Sequence, residues 1–227
     1  MEFQEITNDI DFLCTSTDES YPIADKTRVI NEGMSRVAHI IFKNDRKFLW
    51  DDSNYTDEPV YTTDIVAGQS KYDIDSVFHT INRVEVKDSS GTWNKVVPFD
   101  QTDIPGAVEE YYTEGDSVYK YDKTNDTFRL FPEPNYSSTG GLKVYVSRTP
   151  TQFTTTDTTK TPGFHAMYHR FLSYFASLDY AMKYRQERVV YLRDKLALIE
   201  KELASYYNTR DGDRKPTKVR AIRPSAE

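Results

Sequence analysis

The sequence predicts an α+β fold: a helical bundle built from one early helix and a C-terminal helical pair, an inserted antiparallel β-sandwich or barrel, and an extended C-terminal tail. Three observations carry this expectation. Near the start, Ile30, Met34, Val37 and Ile41 recur at helical spacing. From Tyr61 to Arg148 the apolar period changes to two and is broken at short intervals by turn-forming clusters. After Pro162 the helical period returns and holds to Tyr207. The boundaries that follow are an irregular arm over 1–24, a helical domain over 25–55 and 160–208, a β domain over 56–159 and a basic tail over 209–227.

Residues 1–20 are mixed and acidic and are expected to be irregular. The early helix should run from Asp25, a suitable N-cap, and fade by Asn44. Gly33 lies inside it at a cost of about 1 kcal/mol relative to Ala, so close packing is expected there. Phe48, Leu49 and Trp50 form a packed corner. In the β region, Thr63, Ile65 and Ala67 lead to Gly68-Gln69, and Tyr72 and Ile74 follow. Val84 and Val86 alternate with charged residues, Asp88-Ser89-Ser90-Gly91 turns the chain, and Trp93 to Val97 returns beside them. Tyr111-Tyr112 and Val118 to Tyr121 supply two further short strands. Phe128 and Leu130 follow, and Leu142, Val144 and Val146 end the series. Strands linked so closely leave no room for βαβ crossovers.

Thr161 and Pro162 have the chemistry of an N-cap and first helical position. Phe164, Met167, Phe171, Phe175, Leu178 and Met182 then form an apolar stripe. A second stripe, Val189, Leu192, Leu196, Ile199, Leu203 and Tyr206, repeats at three, four, three, four, three. That heptad seam needs a partner. The expected one is the Asp25 and Phe164 helices of the same chain, and the alternative is a second copy. Asn208 to Gly212 ends the helix.

Composition narrows the function. Hydrophobic residues are 37% and aromatics 14%, with seventeen tyrosines, a side chain suited to interfaces wet on one side. The net charge is −7, yet the stretch 209–227 holds six basic residues against three acidic ones, so −10 remains on the body. An acidic body argues against a duplex-binding surface. The single Cys14 excludes an internal disulfide framework. No apolar run approaches the roughly 20 residues of a membrane span, and no signal-peptide pattern opens the chain.

Candidate catalytic residues lack catalytic settings. His165 and His169 are four apart, as two metal ligands on a helix could be, but no Glu follows His165. His39 lies in a helical pattern and His79 in a loop. Gly140-Gly141 precedes a strand rather than a helix, so it is no phosphate loop. Cys14 has no basic neighbour in sequence to activate it. The expectation is a protein with no catalytic residue, metal or cofactor.

Several stretches in order resemble the head–tail adaptor proteins of tailed bacteriophages. They are Val29-Ile30-Asn31-Glu32-Gly33 with Trp50, Asp64-Ile65-Val66-Ala67-Gly68-Gln69 with Tyr72, and Ile81-Asn82-Arg83-Val84-Glu85-Val86. Arg129-Leu130-Phe131-Pro132-Glu133-Pro134, Leu142 to Val146 and Pro162-Gly163-Phe164-His165 complete the set. The sequence departs from that pattern at Asp75 and in the acidic insert Asp51 to Glu58. The resemblance implies a structural protein of the virion, assembled in the host cytoplasm, whose copies form a twelve-fold ring at the head–tail interface. Its implied partners are the portal protein, neighbouring copies, a downstream tail or nozzle protein, and genomic DNA passing through the lumen without sequence-specific contact; no membrane is involved. Arg214, Lys215, Lys218, Val219, Arg220, Ile222 and Arg223 would belong to the arm that reaches the portal. Two other readings compete: a carbohydrate-binding, tail-fibre-like β module using Trp93, and a virion-associated cell-wall hydrolase.

Overall fold

A computed structural model describes residues 1–46, 48–50, 59–75, 78–100, 113–124 and 127–209. These include four α-helices and nine strands: α1 (Phe3–Cys14), α2 (Ile23–Asn44), β1 (Val60–Ile65), β2 (Lys71–Asp73), β3 (Phe78–Lys87), β4 (Trp93–Pro98), β5 (Glu114–Gly115), β6 (Lys120–Thr124), β7 (Thr127–Phe131), β8 (Glu133–Pro134), β9 (Ser138–Arg148), α3 (Arg170–Tyr184) and α4 (Gln186–Thr209).

The first helix corrects the expected irregular arm. Phe3, Ile6, Ile10 and Leu13 are spaced three, four and three, and all four are buried. A capping box holds its start, with the Glu2 backbone N–H donating to the Glu5 carboxylate at 2.8 Å. The second helix begins before Asp25, with Pro22 at the cap, and ends at Asn44. Asp25 lies in its first turn, where its charge suits the helix dipole. Gly33 faces α3 so closely that a Cβ would stand 3.1 Å from Phe175 Cδ1 and 3.2 Å from Leu172 Cδ2.

The third helix starts later than Thr161 and Pro162 suggest. The backbone N–H groups of Phe3 and Gln4 donate to the carbonyls of Lys160 and Thr158. That pairing engages this stretch against the start of α1, and Pro162 and Phe164 are buried beyond it. A 3-10 turn over Ala166–Tyr168 intervenes, and α3 begins only at Arg170. Buried Ser173, Ala176, Ser177 and Ala181 give α3 a narrow profile, which lets α1, α2 and α4 pack around it. The main helical core joins Phe3, Ile6, Ile10, Ile30, Met34 and Ile41 with Phe171, Leu172, Leu203 and Tyr207.

The β region is one curled seven-stranded sheet, a half-barrel, in the order β1-β9-β3-β4-β6-β7-β2. The expectation from sequence is an antiparallel sandwich or small barrel; the curled sheet is partway to the barrel, and it is not two packed sheets. Five of the six pairings are antiparallel, but β4 and β6 run parallel, with Val97 opposite Lys120 and Pro98 opposite Tyr121. The small β5–β8 pair is also parallel. Period-two patterning fixes which face is buried and not which neighbour a strand takes, so these parallel pairs had no signature. The concave face encloses Ile65, Tyr72, Val84, Val86, Val96, Phe128, Leu130, Leu142 and Val144. Irregular register at β1–β9 and β3–β9 adds bend where the sheet curls. Gly140 and Gly141 lie inside β9, not before it. The Gly140 N–H donates to the Asp64 carboxylate at φ +57°, and a Cβ on Gly141 would meet Ser138 Cβ at 2.7 Å.

Side chains tie α2, β9 and the segments that follow them. Asn31 of α2 donates to the Phe153 carbonyl at 2.9 Å and accepts the Phe153 N–H at 2.8 Å. Ser147 at the end of β9 donates to the Arg46 carbonyl. Lys26 is buried in α2, and its ammonium reaches Asp11 at 2.7 Å and Asp18 at 3.1 Å.

Candidate assembly interface

The chemistry of the described residues is that of packing. Among them no group of three or more His, Cys, Asp or Glu could hold a metal. His165 and His169 do not share a helix face. The His165 ring accepts from the Met167 N–H ahead of the 3-10 turn, whereas His169 is buried with Nε2 2.7 Å from the Phe164 carbonyl. His39 is exposed on α2, and His79 lies in β3 rather than in a loop. Cys14 is buried, and burial raises its thiol pKa above the ordinary value, the reverse of an activated thiolate.

The predicted seam is spread over one face of α4. Leu192 and Leu203 are buried, and Leu196 and Ile199 pack against both the main helical core and a smaller cluster of Leu13, Tyr174, Ala181 and Leu192. Val189 joins that smaller cluster, and Tyr206 lies against the main one. Tyr207, which falls outside the heptad spacing, is 2% exposed, and its hydroxyl accepts the His165 N–H at 3.1 Å. The predicted portal-binding residues Arg214, Lys215, Lys218, Val219, Arg220, Ile222 and Arg223 lie outside the described residues.

The opposite face of α4 is where the structure departs most from an ordinary amphipathic helix. Val190, Tyr191 and Leu198 stand more than half exposed there. Tyr191 and Leu198 are seven residues apart and so rise in line. Met182 and Tyr184 of α3 are likewise exposed, as is Phe12 of α1 at 78%. A helix apolar on both sides has one face for its own core and one that water leaves unsatisfied. Sequence reading assigned the buried stripe and overlooked this one, although the i, i+7 spacing was present.

Near the C-terminal end of α4 lies a cleft of about 520 Å³, lined by Phe48, Leu49, Phe164, His165, Tyr206 and Tyr207 among others. Its wall rings meet edge-on or tilted, Phe48 against Tyr207 and His165 against Tyr206, and buried Trp50 backs them against Phe48 and Phe164. Leu49 alone of the predicted Phe48-Leu49-Trp50 corner faces outward. Many tyrosines are core residues by this count, Tyr21, Tyr72, Tyr121, Tyr168, Tyr174, Tyr180 and Tyr207 among them, while Tyr119, Tyr184 and Tyr191 are surface.

No helix among the described residues is long and apolar enough to cross a membrane. The sequence model of a family described as SU10 adaptor protein matches residues 1–221. No curated protein matches the chain.

Proposed function

The chain belongs to the SU10 adaptor protein family and is a structural adaptor of a bacteriophage virion, and from that premise we propose that its copies form a ring joining the portal vertex to the tail. The ring continues the channel through which the genome passes. The observation that carries the proposal is the extent of the family match, which runs from the first helix through the helical wall and into the basic tail. The exposed ridge of Val190, Tyr191 and Leu198 supports a helical wall that meets a neighbour. The charge distribution supports the rest. An acidic body lets DNA slide without sticking, and a basic, apolar-poor tail suits an arm that orders on binding.

Two measurements test it. Sedimentation of the purified protein should find a monomer or weak oligomer, because hydrophobic residues make up only 37% of the chain and an obligate ring usually carries a more apolar interface. Electron microscopy of the protein mixed with portal should then find rings, and deletion of 209–227 should abolish docking without moving the melting temperature. A stable ring in the absence of portal, or undiminished docking by the truncated chain, overturns the template mechanism and the role of the tail respectively. The carbohydrate-module reading is disfavoured by the setting of Trp93. Lys143 Nζ lies 4.4 Å from the ring centroid, over the face a sugar would stack on.

A further inference from the structure

The convex face of the half-barrel carries a charged surface that neither the helical ridge nor the tail explains. Alternation along β3, β4 and β9 sends Val84, Val86, Val96, Leu142 and Val144 to the core. The same alternation sends Arg83, Glu85, Lys87, Trp93, Lys95 and Lys143 outward. Lys87 pairs across the ladder with Trp93, and Glu85 pairs with Lys95 on one side and Lys143 on the other. The Trp93 ring is 38% exposed at the centre, with Lys143 Nζ 4.4 Å and Lys87 Nζ 5.9 Å from its centroid.

The outward side chains carry four cations and one carboxylate, +3 in a chain whose total is −7, and +1 once the nearby Asp88 and Asp64 are included. The nearby acids are already engaged. Glu85 accepts from Arg83 Nε at 2.6 Å and from the Tyr145 hydroxyl at 3.3 Å. Asp88 accepts from the Ser90 hydroxyl, the Thr92 N–H and Asn94 Nδ2, and Asp64 accepts from the Gly140 N–H. Lys87, Lys95 and Lys143 have no carboxylate at ion-pair distance among the described residues.

We propose that this face docks an acidic protein surface, with carboxylates of the partner bridging Lys87, Lys95 and Lys143 around Trp93. The inference takes from the adaptor family only that other virion proteins are touched, and it is independent of ring formation. Three features favour a protein over nucleic acid. The cations span a single hairpin and its neighbouring strand, so few phosphates could be neutralised. The acidic remainder of the chain repels a long polyanion. The Trp93 face that a base would use is occupied by Lys143. A compact acidic patch on a folded partner meets the local charge alone, and a central tryptophan with a charged rim is a common interface anchor.

The test uses the full chain and its own fluorophores. Trp50 is buried at 6%, so a ligand-induced emission change on this face reports Trp93, and Trp93→Phe removes it. A glutamate-rich peptide and an oligodeoxythymidine of matched charge are titrated separately at low and at physiological salt. The peptide should shift the emission, and the triple variant Lys87→Glu/Lys95→Glu/Lys143→Glu should weaken binding about tenfold or more. Lys201→Glu, on the exposed side of α4, should leave it unchanged. If the triple variant does not fold, Lys95→Glu alone carries the test, since that residue is exposed. The proposal is overturned by peptide affinity undiminished in the folded variant, by no emission change, or by tighter binding of the oligodeoxythymidine. Sedimentation of the unmixed protein adds one arm: self-association that vanishes in the variant assigns the face to a second copy and also overturns it.

Discussion

The two leucines of the α4 seam test whether that helix packs within its own chain. Leu203 is fully buried in the main helical core, and Leu196 packs at its edge, partly open to water. Leu203→Ala removes three carbons, about 2.4 kcal/mol at roughly 0.8 kcal/mol per methylene. The cavity left behind brings the cost to about 3–5 kcal/mol. Leu196→Ala removes the same atoms from a site already partly hydrated, so about 1–2 kcal/mol is expected. With a urea slope of about 2 kcal/mol/M, the first variant should lower the unfolding midpoint by roughly 1.5–2.5 M and the second by less than about 1 M. Urea denaturation of the isolated protein, followed by far-UV circular dichroism, makes the comparison. Equal losses, or none in either variant, would show that α4 does not dock on α2 and α3 in the free chain.

Gly33→Val should destabilise by about 1–3 kcal/mol in thermal melts, because even a Cβ meets Phe175 and Leu172 at 3.1 and 3.2 Å; Gly33→Ala should cost less, since it regains about 1 kcal/mol of helix propensity. Lys26→Ala should cost about 1–3 kcal/mol by urea denaturation, losing a buried stem together with the cation that Asp11 and Asp18 share. Lys26→Met should recover most of that, and a Met variant as weak as the Ala variant would assign the effect to charge. Asp88 should titrate at about 2, held down first by the Ser90 hydroxyl and then by the Thr92 N–H. Its folded value lies below the unfolded one of about 3.9, so the turn's contribution is whole above that pH and lost as pH falls through about 2. Carboxyl NMR that finds an ordinary midpoint would refute the turn geometry.

Patterning in the sequence reported burial well in α2 and in the sheet, less well around α3, where Met167 and Met182 of the predicted stripe are exposed, and spatial neighbours poorly. The Ile30-Met34-Val37-Ile41 stripe is buried in α2 at all four positions, and the helix stops at Asn44. The Val84, Val86, Leu142 and Val144 alternation marks the concave core. The first helix was missed although Phe3, Ile6, Ile10 and Leu13 show a helical spacing, because its cap is a glutamate pair rather than Ser, Thr or Asn. Thr161 and Pro162 misled in the opposite direction. Their local chemistry favours a helix start, but the backbone of 158–160 is engaged by α1, a contact between residues more than 150 positions apart. The half-barrel, its parallel β4–β6 pair and the cationic convex face depend on which strands meet. One-dimensional periodicity carries no information about that.

The order of strands has a consequence for biosynthesis. The strand β9 is the last of the sheet to emerge from a ribosome, yet it lies between β1 and β3, and Val60 is matched to Tyr145 far along the chain. Until β9 is made, β1 has no ladder partner and β3 has only β4, so the nascent sheet ends at an uncovered β3 while β1 stays unpaired. Contacts of such long range close slowly and expose aggregation-prone surface in the interval. A chain halted after β8 is therefore a hazard rather than a smaller domain. The late arrival of this one strand lengthens the interval in which the growing chain is vulnerable.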